Sequence, residues 1–135
     1  MEKYKVLEHV SDIYLRIFGK DLEELFSNAC FTVSDVMLKG KWPKGTEVKR
    51  EIKIKSENLN GLLVDFLNEL LFQKDVNSEV YKSLKVKKIS NKALEGELIG
   101  VQIEEIFLEI KAATYHNLKI EKKPEGYIAE IILDI

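Results

Sequence analysis

Three short polar clusters carry the residue types from which a site could be built. They are His9-Val10-Ser11-Asp12, Ile110-Lys111-Ala112-Ala113-Thr114-Tyr115-His116, and the terminal pair Asp134-Ile135. In the third, the Asp134 side chain stands beside the α-carboxylate of Ile135. Two carboxylates held that close need a cation, a strong donor or a raised pKa to coexist. They also lie on an element that should be tied into a sheet, whereas most chain ends fray. With Asp12 added, the set becomes an all-oxygen site suited to Ca²⁺, Mg²⁺ or Mn²⁺ rather than to zinc. Taken singly, each residue has a plainer reading. Asp12 would bond its own backbone at a turn, and Asp134 would be an exposed strand residue beside Glu130 and across from a lysine. Lys111 and His116 would belong to the solvated face of an antiparallel sheet.

Other familiar chemistry is missing from the sequence. The seven glycines are scattered and form neither GxGxxG nor GxxxxGK[ST]. His9 and His116 are far apart, there is no HExxH, and no serine has a nucleophile-elbow context. Cys30 is the single cysteine, which excludes an internal disulfide and any cysteine-based zinc site. It falls in an apolar stripe and reads as a small core hydrophobe.

The elements that must position these clusters follow from patterning. A chain of 135 residues, 45% hydrophobic and 33% charged, describes one globular domain spanning 1–135. Twenty-one basic against 23 acidic side chains leave a formal charge of −2, which does not suit a protein that binds nucleic acid by itself. With no apolar signal region and no membrane-length apolar run, a cytoplasmic protein without a membrane partner is expected. Ile13, Leu15 and Ile17 alternate with Tyr14, Arg16 and Phe18 as a strand ended by Gly19. Asp21 and Glu24 form a capping-box pair opening a helix that runs to about Leu38. Trp42, in the loop Gly40–Gly45, is a lid over the core or an exposed contact. A strand over 46–56 turns Val48, Ile52 and Ile54 inward. Asn58 caps a second helix to about Phe72. Strands are predicted near 80–90, 94–103, 106–121 and 127–135, the last two joined as a hairpin by Lys122–Gly126. This order argues an α+β fold, with two helices packed on a mostly antiparallel sheet.

In this order and at this length, the clusters resemble the archease family. The family's His-Thr-Ala-Asp is matched by His9-Val-Ser-Asp12, and its Gly followed by a Leu-Glu-Glu helix by Gly19–Glu24. Its Trp-Leu-Asn-Glu-Leu-Leu helix is matched by Phe66-Leu-Asn-Glu-Leu-Leu71. The most specific piece, Ile-Lys-Ala-Val-Thr-Tyr-His, is matched by Ile110–His116, and the family ends on Asp-Ile as this chain does. Val10, Ser11 and Phe66 stand where the family has Thr, Ala and Trp. The stretch Gly100–Glu109 is short and receives no metal or partner role.

The resemblance implies a protein cofactor rather than an enzyme. It would activate the GTP-dependent RtcB-type tRNA-splicing ligase, promoting formation of the ligase's histidine–GMP intermediate and allowing multiple turnover. tRNA would be met only through the ligase. The resemblance maps the metal ligands onto Asp12, Asp134 and the terminal carboxylate of Ile135, with Ca²⁺ the first expectation and Mg²⁺ or Mn²⁺ the alternatives. It maps a functional lysine onto Lys111, with His116 in the same activating segment. The alternative is a chaperone-like modulator of a tRNA methyltransferase or another RNA-processing enzyme. A stand-alone metal-dependent hydrolase is a third reading, weakened by the lack of a poised His or Cys nucleophile.

Overall fold

A computed structural model describes residues 2–9 and 12–135, without the side chains of residues 7–9. The chain order is β1 (Tyr4–His9), β2 (Asp12–Gly19), α1 (Leu22–Leu38), β3 (Glu47–Lys55), α2 (Leu59–Asn77), β4 (Glu79–Ile89), β5 (Ala93–Gln102), β6 (Ala112–Ala113), β7 (Lys119–Lys123) and β8 (Gly126–Asp134). The two helices and the antiparallel pairing are as predicted, but the strands divide into two sheets. One runs β1-β2-β8-β6, with β7 also on β8, and the other runs β3-β5-β4. Both helices touch both sheets: α1 packs on β2 and β4, and α2 on β4 and β6. Phe26 and Phe66, with ring centroids 5.4 Å apart, close the contact between them.

Local chemistry starts both helices where the sequence says it should, and α1 also stops where predicted. The Asp21 side chain accepts the Glu24 N–H at 2.8 Å, and Asn58 accepts the Gly61 N–H at 2.8 Å. Each satisfies an N–H that has no partner within the helix. The Glu24 carboxylate reaches back to the N–H of Lys20 rather than of Asp21, one residue beyond a standard capping box. α2 runs past Phe72 to Asn77, more than a turn longer than predicted, and ends where Ser78 takes a left-handed conformation.

Two further expectations are corrected. β1 was not anticipated, and it forms a hairpin with β2. The segment 106–121 is not one strand. The N–H groups of Phe107 and Leu108 bond Met37 O at the end of α1, so this stretch crosses the helix terminus instead of joining a sheet. Its alternation of Ile106, Leu108 and Ile110 reflects an extended chain laid over the core. Only Ala112–Ala113 and Lys119–Lys123 pair with β8.

The sheet of β2 and β8 positions the site. Ile13, Leu15 and Ile17 face Leu133, Ile131 and Ala129 on the buried side. A slip of one residue would turn that whole set to water, so the register is strongly specified. The turn at the far end agrees with it. Gly126 sits at φ 141°, and a Cβ there would come within 2.4 Å of Gly19 O. In the second sheet the Glu79 carboxylate is buried and held well below the usual range by the Arg50 guanidinium, with the Tyr81 hydroxyl donating to it at 3.0 Å.

Candidate functional site: a carboxylate end of the sheet

The register that buries Ile13 against Leu133 places Asp12 directly opposite Asp134. Directly opposed residues of an antiparallel pair have Cβ atoms about 4.5–5.5 Å apart, and like charges there repel. Both side chains are exposed on the outer face of the sheet. Among the described residues, no ion pair reaches either carboxylate. The nearest arginine along that face, Arg16, is bound to Glu130 at 2.6 Å, and Glu130 also accepts from the Tyr14 hydroxyl. Asp134 therefore stands across from Asp12 and not from a lysine. Ile135, one residue beyond Asp134, is half-buried with its side chain against the core. Two carboxylates facing each other at one strand end are hard-oxygen donors of the kind a divalent cation takes; among the described residues no three His, Cys, Asp or Glu side chains are grouped to hold one.

The second cluster reaches the same place from the other edge of β8. Ala112 pairs with Asp134, Ala113 with Leu133, and the Lys111 N–H donates to Asp134 O at 2.7 Å. Thr114 closes the run, with its N–H and its hydroxyl both donating to Ile132 O at 3.1 and 2.9 Å. Lys111 is thus held beside the strand end that carries Asp134, and its side chain is exposed. The small Ala112 leaves the flank of Asp134 open where a larger residue would cover it. His116 behaves differently: it is exposed in the turn at 115–118, beyond the paired stretch. Among the described residues, no hydrogen bond or ion pair joins it to the carboxylates. Of the first cluster, Val10, Ser11 and the His9 side chain lie outside the described residues, and Asp12 alone represents it.

Residues with competing readings resolve plainly. Cys30 is fully buried, and burial pushes its thiol pKa up, as suits a core hydrophobe. Trp42 is a half-buried lid, stacked on Phe31 with centroids 5.5 Å apart and donating from Nε1 to Asp35 at 2.8 Å. A cavity of about 690 Å³, with Leu38, Lys41, Asn77, Gln102 and Phe107 in its wall, touches none of Asp12, Lys111, His116 and Asp134. Its wall carries Lys41, Lys44, Glu104 and Glu105, two of each sign, whereas the strand end sets two like charges face to face, and we place the candidate site there.

The family model of the Archease protein family matches residues 4–135. The chain belongs to the archease family. It is 36% identical to the protein archease of Methanosarcina mazei over 142 residues, covering 99% of this chain and 97% of that one. It is 35% identical to that of Pyrococcus abyssi over 144 residues, covering all of both. Among solved structures, the solution structure of a Methanobacterium thermoautotrophicum protein superposes with a TM-score of 0.74 at 30% identity, covering all of both chains. The crystal structure of a Thermotoga maritima protein, described as "an archease, possible chaperone", superposes at 0.68 with 23% identity, covering 97% and 96%.

One residue of this archease-family site was not singled out from sequence. Asn68 of α2 donates from Nδ2 to Ala113 O at 3.2 Å and accepts the Ala113 N–H on Oδ1 at 2.8 Å. A single carboxamide thus stands in for a neighbouring strand along the free edge of β6. The residue lies inside the family-like helix motif Phe66–Leu71, where its spacing from the apolar stripe signals only a boundary position. Replacing Asn68 with Ala would leave both buried backbone groups of Ala113 without partners, at a cost of about 1–3 kcal/mol for each. Amide exchange at Ala113 should accelerate strongly in that variant while exchange in β5 follows only the global loss. Unchanged protection at Ala113 would show that Asn68 does not hold the strand.

Proposed function

We propose that this chain is an activating cofactor of a GTP-dependent RNA ligase of the RtcB type. It would promote guanylylation of the ligase's histidine and repeated turnover in tRNA splicing and RNA repair, and would not itself turn over substrate. The observation that carries the reading is the opposed pair Asp12 and Asp134, to which the terminal carboxylate of Ile135 would add a third ligand. A divalent ion held there, Ca²⁺ first and Mg²⁺ or Mn²⁺ otherwise, would supply positive charge to offset that of a nucleotide's phosphates. The protein's own residues do the rest. Asp12 and Asp134 present oxygens on one face from a rigid sheet. Ile135 would fix the third carboxylate through its half-buried side chain. Lys111, bound through its N–H to Asp134 O, offers a mobile ammonium that can pair with a phosphate or with a carboxylate of the ligase.

The test is a guanylylation assay of the cognate ligase with GTP, with and without this protein. A rise in the rate of histidine–GMP formation, and more than one ligation per ligase molecule, is the expected result. No change in either would sink the reading. The "possible chaperone" description of the Thermotoga maritima relative favours a second reading, a modulator of a tRNA methyltransferase or another RNA-processing enzyme. That role requires no metal. Modulation that survives chelator and is directed at such an enzyme would replace the ligase reading.

A further inference from the structure

The three-stranded sheet turns one face to the helices and leaves the other to charge. Ile52, Leu84, Leu94 and Leu98 lie on the helix side and are buried. On the opposite side the pairing sets Lys53, Glu95 and Lys88 in one row across the sheet, and Glu51, Glu97 and Lys85 in the next. Lys49 and Lys55 continue β3 on that side by the alternation of a strand. Lys87 is the extra residue of a bulge in β4 and reaches Glu51 across the face at 3.2 Å. Lys82, at the other bulge of β4, and Lys92, in the turn that follows, are exposed beside them.

These eight lysines stand against four glutamates on the same strands, Glu47, Glu51, Glu95 and Glu97. Arg50 and Glu79 neutralise each other on the helix side. Glu57, brought to the rim where the Ser56 N–H bonds Lys92 O, leaves a basic surplus of three. Beyond the other end, Lys41 and Lys44 offset Glu104 and Glu105 on the cavity wall. The chain's net charge of −2 is therefore an average over a basic sheet face and an acidic remainder. Among the described residues, ion pairs engage only Lys53 and Lys87 of the eight. Edge protection accounts for lysines on β3, an end strand, but not for those on β4. The outer edge of β4 is already covered by α1, whose Ser34 and Ser27 hydroxyls accept the N–H groups of Tyr81 and Leu84 at 3.0 and 3.3 Å.

We infer that this face is a docking surface for the phosphate backbone of duplex RNA. β3 and β4 flank β5, so their lysines form two rows roughly 10 Å apart. Two rows of cations suit the two phosphate strands of a duplex. Tyr81, the one aromatic residue of the three strands, is buried, so unpaired bases would find nothing to stack on. Along its middle the face offers a single large apolar side chain, Ile99, too little for insertion into a membrane surface. Protein interfaces, for their part, are depleted of Lys and Glu at their cores. Contacts confined to phosphates would position a duplex without reading its sequence. That the duplex is RNA and not DNA rests on the ligase reading above.

The experiment measures binding of the intact chain to a labelled RNA hairpin over a salt series. Single-stranded RNA, a DNA hairpin of the same sequence and vesicles rich in phosphatidylserine run alongside. About four phosphate contacts would weaken hairpin binding roughly hundredfold between 50 and 200 mM salt. Lys85→Gln with Lys88→Gln should lower the salt slope by about two, whatever the hairpin's sequence. Both side chains are exposed, so the melting temperature should stay at the parent value. Lys5→Gln with Lys20→Gln removes the same charge from β1 and the end of β2, and should leave affinity and slope unchanged. No hairpin binding at low salt, an equal loss in the control pair, or tighter binding of the single strand, the DNA or the vesicles would overturn the inference. No ligase is present, so such a failure leaves the activator reading to its own guanylylation assay.

Discussion

Replacing Asp134 with Asn should raise the melting temperature of the metal-free protein and lower it, relative to the parent, once Ca²⁺ is added. Without an ion, Asp12 and Asp134 face each other as like charges on an exposed surface. Removing one charge relieves a repulsion of about 0.2–1 kcal/mol. With an ion, the parent gains the free energy of ligand binding to the folded state, about 2.7 kcal/mol at a concentration one hundred times Kd. The variant keeps an oxygen but loses a formal charge, and its affinity should fall by about tenfold or more. The order of the two melting curves therefore inverts on adding Ca²⁺. Asp12→Asn should behave alike, and neither change touches the core that holds the fold. Stimulation of guanylylation should disappear in both variants. Parallel melting curves that ignore Ca²⁺ would show that the opposed carboxylates hold no ion, and full stimulation by both variants would detach them from activation.

Extending the chain by a single glycine beyond Ile135 should abolish the Ca²⁺-induced shift almost as fully as Asp134→Asn does. The extension turns the α-carboxylate of Ile135 into a neutral peptide carbonyl and carries the new carboxylate about 3.5 Å further along the chain. The Ile135 side chain stays against the core, so the backbone there has no freedom to swing the new terminus back. A one-residue extension at Met1 is the matched control and should leave the shift intact. Calorimetric titration with Ca²⁺ reads the outcome directly. Equal affinity in the two extended proteins would remove the terminal carboxylate from the ligand set.

How much of this was legible before folding depends on the range of the interaction. Asp21 and Asn58 announce their helices because a cap bonds an N–H three residues away. The alternation of β8 identifies it as a strand for the same local reason. Where the sequence misled, the pattern was real but had two solutions. Ile106, Leu108 and Ile110 alternate as a strand would, yet any extended segment lying over a core buries every second residue, and this one spends its backbone N–H groups on Met37. The end of α2 was placed a turn early because the wide apolar stripe stops at Leu71, while the helix is carried on by Lys74, itself buried between Asp75 and Glu109. Strand β1, Tyr4-Lys-Val-Leu-Glu-His9, offers too few alternating positions to stand out from the residues around it.

The sequence by itself determined which side chains exist for chemistry: two aspartates and a lysine. It also determined that an ion there would be of the hard, oxygen-seeking kind, because no Cys or His cluster competes. Only the tertiary structure decided that Asp12 faces Asp134 across 122 positions of chain. That pairing follows from the register of two strands, which the buried faces of both set together. Only the tertiary structure revealed Asn68 as the support of Ala113, because a carboxamide on a helix gives no sign in sequence of which backbone it will meet 45 residues away. The exposure of Phe72 and Val76 on α2 belongs to the same class, since a helix is apolar on one side or another until its neighbours decide which side is inward.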